Sequence, residues 1–370
     1  MNYQPVNGDD FYFPLPDYDL PVFETEDQRF MIDTVVTGLE VPWASAFLPD
    51  GSVLITERPG RLRLVQNGEL LDDPVAGMPD VRAGGQGGLL DVVLHPDYED
   101  NGWIYITYSK AEGGISNTAL IRARLEGNQL VDLEELFWAE PRVTGGRHFG
   151  SRIAFDNEGY LYVSIGDRGN RDRVQDLSNH LGTVIRLYDD GSVPEDNPFI
   201  NDPNAKPEIY AYGLRNIQGM QRHPVTGEIW SHKHGPRGGD EINIIEGGLN
   251  YGWPEITHGV NYNGTPITPD TAQAGLEQPF LHWTPSIAPC GMDFVYGDKY
   301  PGWEGDLLVG TLRPQYLHRV KLDQNGELLD QEEMLDNLGR IRDIRLAPDG
   351  FIYIAVESGG TLIRLLPVNE

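Results

Sequence analysis

A short two-strand module recurs six times along this chain of 370 residues, and no other feature limits its fold so tightly. Each copy is an apolar strand, a turn of Pro, Asp, Asn and Gly, and a second strand rich in β-branched and aromatic side chains. The copies occupy residues 43–65, 88–109, 151–167, 218–232, 292–320 and 341–365. Five of them carry equivalent turns: Pro49-Asp50-Gly51, His95-Pro96-Asp97, Asp156-Asn157-Glu158-Gly159, His223-Pro224-Val225-Thr226-Gly227 and Pro348-Asp349-Gly350. Such residues supply the positive or fixed φ that a hairpin turn needs. The strands that follow alternate with period two, most clearly at 160–165 and 351–356, and nothing keeps a helical period for three turns. A β-sheet unit repeating about every 50 residues predicts an all-β, six-bladed β-propeller with a shared axial site. A β-sandwich would share the short strands and turns without the sixfold repeat.

Stacked blades make one unit whose core grows with blade number, so residues 31–370 are expected to form a single propeller domain. Residues 1–30, with Pro5, Pro14, Pro16 and Pro21 among Tyr and Phe, read as an extended arm lying on it. Two interruptions, 170–206 and 252–289, are rich in Asn, Asp, Pro and Gly and too long for blade hairpins. They are expected to fold over one face, where binding and catalytic groups gather.

The balance of 57 acidic against 28 basic residues gives a formal charge of -29, which repels phosphate backbones and anionic membranes and excludes nucleic acid as a partner. With 5 Lys against 23 Arg, the acidic surface suits a high-salt habitat, and an ordinary acidic secreted protein is the other reading. Cys290 is the single cysteine, so no intrachain disulfide can form. No apolar run approaches the roughly 18 residues of a membrane span, so stable membrane insertion is not expected. The first 28 residues carry seven carboxylates and neither Lys nor Arg, which is not the pattern of an export signal.

The densest polar constellation is His234-Gly235-Pro236-Arg237-Gly238-Gly239-Asp240-Glu241-Ile242-Asn243, followed by Gly248-Leu249-Asn250-Tyr251-Gly252-Trp253-Pro254. Glycines there let carbonyls converge and the acids add oxygens, which suits a hard cation such as Ca²⁺. A solvated turn between blades accounts for the same residues. His148, in Gly146-Arg147-His148-Phe149-Gly150 before a strand, is a candidate general base because imidazole titrates near working pH; a hydrogen-bonded structural histidine is the alternative. Arg215-Asn216, Arg313 and the alternating pair Arg340 and Arg342 lie at strand ends. Two guanidinium forks on one face imply a carboxylate partner, either from a neighbouring blade or from a ligand.

These motifs resemble the soluble pyrroloquinoline quinone (PQQ)-dependent aldose dehydrogenases of the glucose/sorbosone dehydrogenase family. Seven ordered matches between about residues 32 and 365 carry the resemblance: Gly38-Leu39-Glu40-Val41-Pro42-Trp43, Gly85-Gln86-Gly87-Gly88-Leu89-Leu90-Asp91, Arg147-His148-Phe149-Gly150, Ile165-Gly166-Asp167, Tyr212-Gly213-Leu214-Arg215-Asn216, the run from His234 to Asn243, and Arg340-Ile341-Arg342-Asp343. It implies a six-bladed propeller with the quinone on the axis. It implies His148 as the base that takes the substrate hydroxyl proton, Asp167 as its carboxylate partner, and Arg215 and Asn216 at the quinone carbonyl. Arg340 and Arg342 would grip the cofactor carboxylates, Gln86 would contact cofactor or substrate, and Tyr262 would pack near the quinone. Gly235 and Pro236 would hold a catalytic Ca²⁺ through backbone carbonyls, and Glu241 and Tyr251 a second, structural one. Where relatives usually bring a lysine to the cofactor, this chain has Arg313, and Arg237 stands where an acidic or neutral residue is commoner.

The activity implied is oxidation of the anomeric hydroxyl of an aldose sugar to a lactone, with electrons passed to a quinone, cytochrome or dye. Enzymes of this kind work in the periplasm or outside the cell, which is the expected location here. A non-catalytic carbohydrate-binding propeller and a Ca²⁺-dependent lactonase are the alternatives. His148 together with three arginine groups separates the dehydrogenase from both, since a lactonase needs metal-held water and no cationic clamps for a tricarboxylate.

Overall fold

The period-two runs become strands covered on both faces. In the computed structural model, which describes residues 12–368, Leu161–Ile165 and Ile352–Val356 are buried at every position. Gly159 and Gly350 turn the chain into them with φ of 85° and 80°, in the left-handed region that glycine occupies without penalty. Helix is confined, among the described residues, to Tyr98–Asn101 and a 3₁₀ turn at Arg171–Arg173.

The strands form six antiparallel sheets, the blades of a six-bladed β-propeller, and the chain divides into two compact units with three blades in each. The unit Gly77–Pro289 contains three four-stranded blades. Their strands are Leu89–Leu94, Ile104–Glu112, Ile115–Glu126 and Gln129–Trp138; then Gly150–Phe155, Leu161–Ile165, Thr183–Leu187 and Ile209–Ala211; then Ile217–Arg222, Ile229–Lys233, Asp240–Ile245 and Leu281–Trp283. The other unit, from the chain before and after, holds the blades that begin at Pro42–Phe47, Pro289–Phe294 and Ile341–Leu346. All six expected modules are thus blades, and what the repeat left out is mainly their outer strands.

Part of the stretch expected as an arm is strand. Arg29–Val36 pairs with Thr361–Pro367, Ile32 opposite Leu365, and Val22–Glu24 pairs with Arg29–Val36 in turn. Phe30 is fully buried against Trp303 at 5.4 Å, which anchors this addition. Residues 1–11 of that stretch lie outside the described residues. The two interruptions likewise each contain a strand, Thr183–Leu187 and Leu281–Trp283. Both are short and embedded in turn-forming residues, so their periodicity is too brief to read.

Within each unit, aspartates on innermost strands tie neighbouring blades together. Asp91 accepts from the Ile153 amide at 2.9 Å and from Arg152 at 3.3 Å. Asp293 accepts from the Leu346 amide at 2.8 Å, and Asp343 from the Ser45 amide at 2.9 Å. A buried carboxylate bonded to a backbone N–H satisfies both groups and fixes the register between sheets.

Candidate functional site

His148 sits where the chain enters the strand Gly150–Phe155, with φ of 54°, a left-handed conformation uncommon for a residue with a side chain. Its amide donates to Gln86 Oε1 at 2.6 Å and its carbonyl accepts from the Arg168 amide at 3.3 Å. The approach of the loop at Gly166 is closer still: a Cβ there would lie 1.9 Å from the His148 carbonyl oxygen. Only glycine lets these two loops meet.

That approach brings His148 to Asp167, which follows the strand Leu161–Ile165. Nδ1 lies 2.6 Å from Asp167 Oδ1, which also accepts from the Gly169 amide at 2.6 Å. Asp167 Oδ2 accepts from Trp253 Nε1–H at 3.0 Å. Asp167 is 1% exposed, so these donors replace its hydration. Burial opposes its ionisation, but the His148 bond, the His148 and Arg215 charges and the Gly169 amide hold it below the usual carboxylate range. A carboxylate facing Nδ1 fixes the proton there and leaves Nε2 as the lone-pair nitrogen. Burial pushes the His148 imidazole below its ordinary pKa, against the Asp167 bond, and the Arg215 and Arg147 charges act in the same sense as burial.

Arg215 precedes the strand Ile217–Arg222 and lies buried against this pair. Nη1 donates to the carbonyls of His234 at 2.9 Å and Gly235 at 3.1 Å, and the guanidinium carbon is 5.5 Å from the Trp253 ring centroid. His148, Asp167, Arg215, Pro236, Trp253 and Tyr262 line one cavity of about 380 Å³. Asn170, Arg171, Asp172 and Asn261 add polar groups to its wall, and Tyr262 is 71% exposed.

Other expected residues take different places. Gln86 meets His148 through the backbone. Asn216 is buried and accepts from the Gly150 amide at 3.1 Å, so its side chain supports the entry to the His148 strand. Arg313, Arg340 and Arg342 belong to the other unit. There Arg340 and Arg342 both reach Glu357, Arg340 Nε at 3.4 Å and Arg342 Nε at 3.1 Å. Glu357 is held below the usual carboxylate range; burial opposes this, and Arg342 and Arg340 outweigh it. Arg313 is exposed and makes no ion pair among the described residues.

The expected structural Ca²⁺ residues are already committed. Glu241 Oε2 is 2.9 Å from Lys233 Nζ, and the Tyr251 hydroxyl donates to the Ile244 carbonyl at 2.6 Å while accepting from the Glu246 amide at 2.9 Å. Among the described residues no three His, Cys, Asp or Glu side chains gather to hold a metal.

Sequence reasoning missed Trp253, Gly169 and Glu357 as individual participants. Trp253 stood inside a quoted motif, and a buried indole N–H needs an acceptor, but only the fold says that the acceptor is Asp167.

A family model described as Glucose / Sorbosone dehydrogenase matches residues 39–364. The aldose sugar dehydrogenase YliI of Escherichia coli is 42% identical over 347 residues, covering 91% of this chain and 93% of the relative. The crystal structure of the soluble aldose sugar dehydrogenase from E. coli in its apo-form matches with a TM-score of 0.87 and 40% identity, covering 92% of this chain and 100% of that one. The PQQ-bound aldose sugar dehydrogenase from Streptomyces coelicolor matches with a TM-score of 0.75 and 27% identity, covering 92% of this chain and 98% of that one.

Proposed function

Because the chain belongs to the glucose/sorbosone dehydrogenase family, we propose that it oxidises the anomeric hydroxyl of an aldose sugar to the lactone, with PQQ as cofactor, Ca²⁺ beside it and an external electron acceptor. The observation that carries this reading is the buried His148–Asp167 pair at 2.6 Å on the wall of a cavity that also holds Arg215.

Bound PQQ would supply a quinone that takes up the two electrons and the anomeric hydrogen as hydride. The chain's own residues do the rest. His148, kept neutral by burial, takes the hydroxyl proton at Nε2, and Asp167 stabilises the imidazolium that results. Arg215 places a guanidinium, bonded to no carboxylate among the described residues, where negative charge grows during the transfer. Gln86 and Asn216 hold the backbone around His148 in the conformation that presents the ring. Polar groups of Asn170, Arg171, Asp172 and Asn261 suit the hydroxyls of a sugar, with Tyr262 as an exposed flat surface at the same cavity.

Arg340 and Arg342 share one carboxylate, Glu357, which leaves a net positive pair suited to the carboxylates of a tricarboxylate cofactor, and Arg313, without an ion pair among the described residues, adds a further positive charge. The turn at Gly235 and Pro236 offers backbone carbonyls, the donors a hard cation accepts, and the Gly235 oxygen already accepts from Arg215 Nη1 at 3.1 Å, so a cation there would share that carbonyl with a guanidinium. Anionic oxygens from the cofactor would balance its charge. The same reading places the protein in the periplasm or outside the cell; among the described residues no helix is long and apolar enough to cross a membrane.

The test is to add PQQ and excess Ca²⁺ to the purified protein and follow dye reduction with a panel of aldoses beside His148→Ala. Sugar-dependent turnover roughly 10²- to 10⁴-fold lower in the variant is expected, the order of a general base's contribution. Equal turnover in both proteins would overturn the role of His148, and quinone binding without turnover on any aldose would overturn the substrate class.

A further inference from the structure

Lys233 is the one buried lysine among the five in this chain, and it lies where the sequence resemblance implies a metal. It ends the strand Ile229–Lys233, directly opposite Glu241 on Asp240–Ile245. The ammonium is 2.9 Å from Glu241 Oε2, and the two side chains are 3% and 5% exposed. Asn243 Nδ2 lies 3.4 Å from the same oxygen.

We infer that Lys233 takes the place of a structural Ca²⁺ in this chain, so that its blade is held by an internal ion pair and binds no metal at Glu241. The inference goes beyond the proposed reaction and does not depend on it. Three physical points carry it. The first is charge: one carboxylate and one ammonium sum to zero, whereas a divalent ion on Glu241 would leave a strong positive excess with Lys233 beside it. A buried charge without compensation is costly.

The second is space. Ca²⁺ takes about 6–8 oxygens at roughly 2.3–2.6 Å, and Glu241 Oε2, one of the oxygens it would need, already faces an ammonium that has almost no solvent to retreat into. The third is the rest of the donor set. The Tyr251 hydroxyl is saturated by the Ile244 carbonyl and the Glu246 amide, and among the described residues no three His, Cys, Asp or Glu side chains cluster at Glu241. A lysine meets these constraints well because its charge is compact and its stem long enough to deliver it from the strand end.

The inference predicts a change of metal dependence on swapping one side chain. In quinone-free protein, Ca²⁺ stoichiometry by equilibrium dialysis and Tm in excess EDTA or excess Ca²⁺ are measured for the native chain, Glu241→Gln, Lys233→Met and Lys233→Glu. In the native chain any bound Ca²⁺, and any Tm difference between the two buffers, should survive Glu241→Gln unchanged. Lys233→Met should lower Tm equally in both buffers. Lys233→Glu should lose stability in EDTA, regain it in Ca²⁺ and bind one more Ca²⁺ than the native chain, since a ligand held only by the folded state raises Tm with its concentration. A native Ca²⁺ that disappears in Glu241→Gln would overturn the inference, as would a folded Lys233→Glu with no added Ca²⁺ response. If Lys233→Glu does not fold, the native chain and Glu241→Gln decide alone. Neither readout needs quinone or sugar, so failure here leaves the proposed reaction standing, and the reverse.

Discussion

Trp253→Phe removes one hydrogen from the dyad's support while keeping an aromatic ring in place. Asp167 accepts three bonds, from His148, the Gly169 amide and the Trp253 indole, and is almost wholly withdrawn from water. Phenylalanine would leave Oδ2 without the indole donor. Losing a hydrogen bond to a buried charged group costs about 1.5–3 kcal/mol. If the carboxylate turns to find another donor and takes the His148 ring out of line, so that a cost of this size falls on the transition state, it amounts to roughly a 10- to 150-fold loss of kcat, at 1.36 kcal/mol per tenfold. The sign of a second effect also follows. A carboxylate with fewer donors attracts the imidazolium more strongly, so protonated His148 is favoured and the acid limb of the rate profile should move to higher pH. The assay is dye reduction with saturating sugar across the pH range, beside urea unfolding of the same variant. A variant that loses stability but keeps kcat within twofold and an unmoved acid limb would show that Trp253 only packs, and would refute the positioning role.

For the unaltered protein, the acid limb of kcat/KM should have its midpoint below about 6.5, the ordinary histidine value, because burial lowers the His148 pKa and only the neutral ring acts as base; a midpoint above it would contradict that role. Gly166→Ala, whose Cβ would meet the His148 carbonyl oxygen at 1.9 Å, should abolish activity and lower the unfolding midpoint, since the collision is with backbone and cannot be relieved by a rotamer. Normal activity in folded Gly166→Ala would show that the loops can separate without consequence.

Of the site residues, the legible ones were those whose local run is distinctive. His148 and Asp167 stand in short glycine-flanked motifs at strand ends, and their pairing at 2.6 Å follows from two loops that each precede or follow a blade strand. Arg340 and Arg342 were legible as a pair because alternation puts them on one face. Their partner was not, because Glu357 lies across a hairpin from them and carries no local mark. Gln86 and Asn216 matched motifs for ligand contact, yet their side-chain oxygens accept from backbone amides of the His148 segment. The motif names a residue, and the fold decides which way its two-ended amide is spent.

The sequence by itself determined the blade count and the inner strands, because hydrophobic period and turn chemistry are local properties that repeat in register with the chain. It also determined the acidic charge balance and singled out His148 as the candidate base. Only the tertiary structure decided that residues 22–36 complete the last blade, that the Trp253 indole supports Asp167, and that Lys233 faces Glu241. Each of these is a pairing between segments whose own periodicity is short or absent, and its energy comes from burying a donor and an acceptor together, a condition that exists only after the sheets have packed.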